Sequence, residues 1–169
     1  VKNYNSHAAL QKQFQDRTIK KSYLAIVAGI PDHKTAIIDA PIGRSLTDRT
    51  KMAVVKTSTS RDAKTTYTVV DNTHDTSLLR CDLHTGRTHQ IRVHLTSVDH
   101  PILGDIAYAS VRSDELTEQL KVQNLCLHAE NLTFVSPVDN IEHSVEAPLP
   151  PAMLDTLSKA ELSLTPDQD

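Results

Sequence analysis

Between Ser77 and Val98 the chain changes its hydrophobic period around one glycine, and the rest of the chain is organised around that change. Up to Leu83 apolar and polar residues alternate, as in a half-buried strand; Gly86 breaks the run; beyond it Ile91, Leu95 and Val98 recur at i, i+4 and i+7, the spacing of an amphipathic helix. Ile91, Val93 and Leu95 also alternate as in a strand, but the helical pattern runs three residues further, and the Thr88 hydroxyl can satisfy an orphan amide of a first turn. A strand, a bend at Gly86 and a helix capped by Thr88 are therefore expected. His84, Arg87, His89, Gln90, Arg92 and His94 crowd into this stretch, a mixture that no simple surface loop or core element needs. Arg92 is expected one turn into the helix, on the face of Thr88, near amides that could receive a phosphate or carboxylate.

The rest of the chain reads as short strands with helices at intervals. Ser6 can cap a helix through Arg17 with Leu10 and Phe14 on its buried side. Lys20–Gly29 reads as a strand in which Tyr23, Ala25 and Val27 share a face, followed by strands at 36–40, 52–55, 65–70 and 77–83, with a polar, basic loop over 44–51. The last two are joined by the turn-forming 71–75, and strands this close must pair antiparallel. Further on, a polar helix at 113–122, strands at 125–135 and 143–147, and a helix opened by Pro150-Pro151 over Met153, Leu154 and Leu157 are expected, with 165–169 fraying. The expectation is one α+β domain with a mixed, mainly antiparallel sheet flanked by helices, and an acidic helix and tail over about 151–169.

The net charge of −3 conceals an asymmetry: Val1 to Arg112 holds 16 Lys+Arg against 10 Asp+Glu, whereas Ser113 to Asp169 holds 2 against 11. The basic part is compatible both with a polyanion-binding face and with solvated faces that have no partner. No apolar run approaches the roughly 20 residues of a membrane span, and the chain opens without a signal-peptide pattern, so a cytoplasmic protein with no membrane partner is expected. Cys81 and Cys126 are too few for a disulfide framework and read as buried thiols.

Nine histidines invite a metal. Yet His84, His89 and His94 stand five residues apart, a spacing that does not bring ligands together on one face, so no metal site is expected. No phosphate-binding glycine loop, dinucleotide fingerprint or serine nucleophile elbow is present, and no nucleotide cofactor is expected. What remains is a basic groove: Lys20, Lys21, Arg44, Arg49, Lys51, Arg87 and Arg92 suit phosphates, and Tyr23 suits either stacking on an unpaired base or ordinary core packing.

The stretches Lys20-Lys21-Ser22-Tyr23-Leu24-Ala25, Ala40-Pro41-Ile42-Gly43-Arg44, Lys51-Met52-Ala53-Val54, Ala63-Lys64-Thr65-Thr66-Tyr67, Thr85 through His94, His100 through Asp105 and Leu127-His128-Ala129-Glu130 together resemble the RluA family of RNA pseudouridine synthases, in the family's order and as far as about Pro150. The resemblance implies an isomerase that takes a uridine flipped out of RNA, breaks its N-glycosidic bond, turns the base and rejoins it through C5, without cofactor or metal. It also implies that Tyr23 packs on the base and helps remove the C5 proton and that Arg92 pairs with a catalytic aspartate. Lys20, Lys21, Arg44, Arg49, Lys51, Arg87 and His89 are then expected to face a structured ribosomal or transfer RNA, with Tyr23, Arg87 and Arg92 in one groove.

The family's aspartate stands in a His-Arg-Leu-Asp motif that these 169 residues do not contain; Asp16, Asp39, Asp82 and Asp105 lie in other contexts, and none is nominated in its place. The chain is expected to be the C-terminal portion of a synthase's catalytic domain, a monomer inactive alone, with a sheet edge left uncovered. The rival expectations are an RNA-binding protein without catalysis and a non-RNA interaction domain that kept only the fold.

Overall fold

A computed structural model of the chain describes residues 3–165. Their elements are α1 (Tyr4–Gln15), β1 (Lys20–Ala28), β2 (Thr35–Asp39), β3 (Ile42–Arg44), β4 (Met52–Val54), β5 (Lys64–Asn72), β6 (Thr76–Leu83), α2 (Gln90–Ser97), α3 (Val111–Gln119), β7 (Leu127–Val135), β8 (Glu142–Glu146) and α4 (Pro151–Lys159). Six strands form one sheet in the order β2-β5-β6-β1-β7-β8, every neighbouring pair antiparallel, while β3 and β4 make a separate ribbon. This is the α+β architecture with a mainly antiparallel sheet that the alternating runs call for. No described helix is long and apolar enough to cross a membrane.

β1 takes the centre because Leu24 through Ala28 is apolar on both faces, and all five residues are buried. Full burial of a leucine or isoleucine contributes about 1.5–3 kcal/mol, so a strand of this kind is most stable with elements on both sides. Directly opposed residues of an antiparallel pair share a face, which groups Tyr23 with Cys81 and Tyr67 on one side and with Ala129 on the other. α2 lies over this face, since its Gln90 and His94 side chains bond Thr65 of β5. Arg80 points to the opposite face, where it opposes Leu24 and Thr68.

Beyond α2 the chain is sewn to the end of β1: Ala28 donates to the Pro101 carbonyl, Leu103 donates to that of Ile26, and Ile102 bridges to Val27. Gly104 follows at φ +75°, where a β-carbon would collide with the Asn124 carbonyl, so only glycine serves. The placement of Asp105, the next residue, follows from that turn.

Several boundaries differ from the sequence reading. Asn3, not Ser6, caps α1 and accepts the Ser6 amide at 2.8 Å. No α1 residue is buried and Phe14 is half exposed; the helix is tied down by Gln13, which bonds the carbonyl and amide of Val135 at 2.7 and 3.0 Å. Ile42–Arg44 is a strand, so the basic loop starts after Arg44. α3 starts earlier than expected because Ser110 and Ser113 form a reciprocal cap. The expected fraying at 165–169 falls, beyond Thr165, outside the described residues.

Candidate functional site

The Gly86 turn is held by a buried chain of hydrogen bonds whose directions follow from one another. Thr85 Oγ1 accepts the Lys64 amide at 2.9 Å and donates to Gln90 Oε1 at 2.7 Å. Gln90 Oε1 also accepts the Arg87 amide, and its Nε2 donates to the Lys64 carbonyl and to Thr65 Oγ1. The Thr65 hydroxyl also lies 2.9 Å from His94 Nδ1, and His94 Nε2–H donates to the Ala40 carbonyl at 3.0 Å. Of the two neutral tautomers, only the one with its proton on Nε2 donates to that carbonyl, and its Nδ1 then accepts the Thr65 hydroxyl. Burial, only partly offset by that carbonyl and by Asp39, holds His94 below its ordinary pKa. All four polar side chains are buried, and each is satisfied within the chain.

This frame also explains where α2 begins. Thr88 does not cap it: the helix starts at Gln90 after His89, which adopts a left-handed φ of +55° and gives no side-chain cap. The Gln90 side chain binds the Arg87 amide, and the Gln90 amide itself closes onto the Arg87 carbonyl, so a tertiary clamp replaces the local cap.

Arg92 follows two positions later, and its partner is Asp105. Nε and Nη2 each donate at 2.7 Å to the two carboxylate oxygens, and Asp105 Oδ1 also accepts the amides of Ala107 and Tyr108. Burial alone would push the Asp105 carboxyl up, but the Arg92 fork, the two amides and the charge outweigh it and hold the group below its usual range. The Arg92 guanidinium lies 4.8 Å from the Tyr108 ring centroid. Tyr108 Oη accepts the Met52 amide at 3.0 Å and stands 2.9 Å from His89 Nδ1. Burial and the neighbouring Arg92 and Arg44 depress the His89 pKa, against an upward pull from Asp105. Arg92, Asp105, Tyr108 and His89 thus form one cluster tied to the β3–β4 ribbon. Asp105 and Tyr108 were not singled out from the sequence, although Asp105 stands in a stretch that carries the family resemblance.

The remaining expected residues separate into groups. Arg44 and Arg87 line one cavity of about 370 Å³ together with Arg61, whereas Arg92 borders a different cavity of the same volume with Asp105 and Asn124. Tyr23 lines neither; it is half buried on the α2 face of the sheet, and its hydroxyl makes no hydrogen bond among the described residues. Lys21 shares that face, with Nζ 5.7 Å from the Phe14 ring centroid and beside Gly86, and burial lowers its pKa. Lys20 alternates to the other face and pairs with Glu142 at 3.5 Å. Lys51 pairs loosely with Asp48 at 3.9 Å, and Arg49 is exposed in the same loop.

Comparison with known proteins bears on what such a cluster does. Residues 2–97 match the family model described as RNA pseudouridylate synthase. Among curated proteins the chain is 40% identical over 155 residues to the ribosomal large subunit pseudouridine synthase D of Nitrosomonas europaea, covering 90% of this chain and 44% of that one. It is 38% identical over 150 residues to the protein of the same name from Zymomonas mobilis, covering 88% and 47%. The chain thus spans about half the length of these relatives. Among solved structures, human RNA pseudouridylate synthase domain containing 4 superposes with a TM-score of 0.78 at 26% identity, covering 96% of this chain and 70% of that one.

Proposed function

The chain belongs to the RNA pseudouridylate synthase family, in its RluA branch, and from that premise we propose that it forms part of the catalytic domain of an enzyme that isomerises uridine to pseudouridine in RNA. The observation that carries this reading is the family match over residues 2–97, a span that includes Tyr23, Arg87 and Arg92. The relatives' names favour ribosomal RNA over transfer RNA as the substrate, and we further propose a cytoplasmic, monomeric protein.

In this reading the nucleoside is flipped out toward the α2 face of the sheet. Tyr23, half buried with an unengaged hydroxyl, offers a ring to pack on the base and an oxygen to help take the C5 proton. Arg92 is held by Asp105 through Nε and Nη2, so its Nη1 remains to face a second anionic group such as a catalytic carboxylate. His89, Lys20, Lys21, Arg44, Arg49, Lys51 and Arg87 face the RNA, the lysines and arginines meeting phosphates. These residues position and bind. The carboxylate that acts on the nucleoside belongs to the His-Arg-Leu-Asp motif, which the 169 residues lack, so the chain by itself binds RNA and does not turn it over.

A tritium-release assay on RNA labelled at uridine C5 tests this directly. The chain alone is expected to release no tritium above background, and sustained release would overturn the inactive-fragment reading.

A further inference from the structure

Arg44, Arg61 and Arg87 converge on the cavity between the β3–β4 ribbon and the Gly86 turn, and no acidic side chain lines it. Among the described residues none of the three is paired with a carboxylate, in contrast to Arg80, Arg92 and Arg112. Three cations around one hollow repel one another, and an anion is what makes such a grouping favourable.

One guanidinium is also aimed, and the backbone of a second arginine is fixed. Arg87 donates through Nε to the Asp62 carbonyl at 2.9 Å, which fixes its plane and leaves both terminal nitrogens for a ligand. Arg61 is locked to the ribbon by reciprocal backbone bonds with Ile42, each 2.9 Å. Gly43 permits the close approach of Ser60, whose Oγ would stand 2.6 Å from a β-carbon there. Ile42 and Met52 supply apolar lining, Thr59 and Thr88 supply hydroxyls, and Lys21 Nζ would stand 3.4 Å from a β-carbon at Gly86. Planar forks beside an apolar lining match a phosphate better than a diffuse basic surface does.

We propose that this hollow is a seat for a single backbone phosphodiester of the RNA, flanking the nucleotide that enters the α2 face, with Arg61 as a third member beside Arg44 and Arg87. The inference rests on the RNA-binding reading above and deepens it. It gives Arg61 a role distinct from that of Lys20 and Lys21, which meet the strand at the start of β1.

The test is the salt dependence of affinity for a fluorescein-labelled RNA stem-loop with uridines in its loop, using the chain as it stands. One phosphate contact contributes a slope of about 0.7–0.9 in log affinity against log salt. Arg61→Gln is expected to weaken binding several-fold and reduce the slope by one such step, and Arg44→Gln/Arg61→Gln is expected to remove the same single step, because the arginines share one phosphate. Arg61→Lys should keep the slope while still weakening binding, since the fork is lost and the charge is not. If both glutamine variants keep the wild-type slope while Lys20→Gln/Lys21→Gln lowers it, the seat is overturned and RNA binding stands. Loss of two or more steps in the double variant overturns the single shared phosphate. Absence of salt-dependent binding by the wild-type chain overturns both readings. A calorimetric titration with inorganic phosphate separates the sources: negligible heat supports the RNA backbone, and tight binding assigns the hollow to a free anion.

Discussion

Two arginine–carboxylate forks stand on opposite sides of the sheet with nearly the same geometry and different surroundings. On the α2 side, Arg92 grips Asp105 with two 2.7 Å bonds; the side chains are 18% and 0% exposed, and two backbone amides complete the carboxylate's shell. On the other face, Arg80 grips Glu130 with two 2.9 Å bonds at 43% and 23% exposure, with water available to both. The same fork does different things in the two places. Where the carboxylate is desolvated and saturated it orients its arginine and anchors a turn; where both partners are wet it adds little beyond what solvent would supply.

The contrast can be broken most directly by neutralising one carboxylate at a time. Asp105→Asn leaves Arg92 charged and mostly buried without its counter-ion, and is expected to cost about 3–5 kcal/mol, measured by urea unfolding. A loss below about 1 kcal/mol would remove the distinction between the two sides.

A second difference lies in pH. His94, buried on the α2 side, is held below its ordinary 6.5, so the folded chain refuses a proton that the unfolded chain accepts. Stability is therefore complete above about pH 6.5 and declines as pH falls from there toward the folded value, by up to about 1.4 kcal/mol per unit. His89 is shifted in the same direction, so the informative comparison is with His94→Gln, which should flatten the slope in denaturation curves taken between pH 7 and about 5. An unchanged slope would mean that the buried ring is not what makes this side acid-sensitive.

The smallest effect is expected at the exposed fork. Glu130→Gln should cost about 0.5–1 kcal/mol at low salt and less at high salt, because exposed pairs are screened. A salt-insensitive loss as large as that at Asp105 would show the two forks to be equivalent after all.

How far the sequence made this legible depends on the range of the interaction. The strand, glycine and helix around Gly86 were readable because hydrophobic period is local, and the antiparallel pairing followed from strands too close for crossovers. The Thr88 cap misled because Gln90 binds Lys64 and Thr65, both brought in by the sheet, as well as Thr85, and a tertiary clamp outweighs a cap of about 1 kcal/mol. Ser6 misled for a simpler reason, since Asn3 is an equally good cap one turn earlier. Lys20 and Lys21 read as one basic pair, yet neighbours in a strand face opposite ways, and only Lys21 reaches Gly86. Asp105 was passed over because its partner lies across a Pro- and Gly-punctuated link whose path no local pattern gives.

The hydrogen bonds that frame the Gly86 turn also have a place in the order in which chain entropy is lost. Arg92 and Asp105 are 13 residues apart, and the Lys64–Thr85, Thr65–Gln90 and Thr65–His94 contacts close loops of 21, 25 and 29. Arg80 and Glu130 are 50 residues apart. Each doubling of a flexible loop adds only about 0.6 kcal/mol to its closure, but the short loops are available first and each one shortens those that remain. The bonds among Lys64, Thr65, Thr85, Gln90 and His94 thus close within one contiguous run of chain, Lys64 to His94.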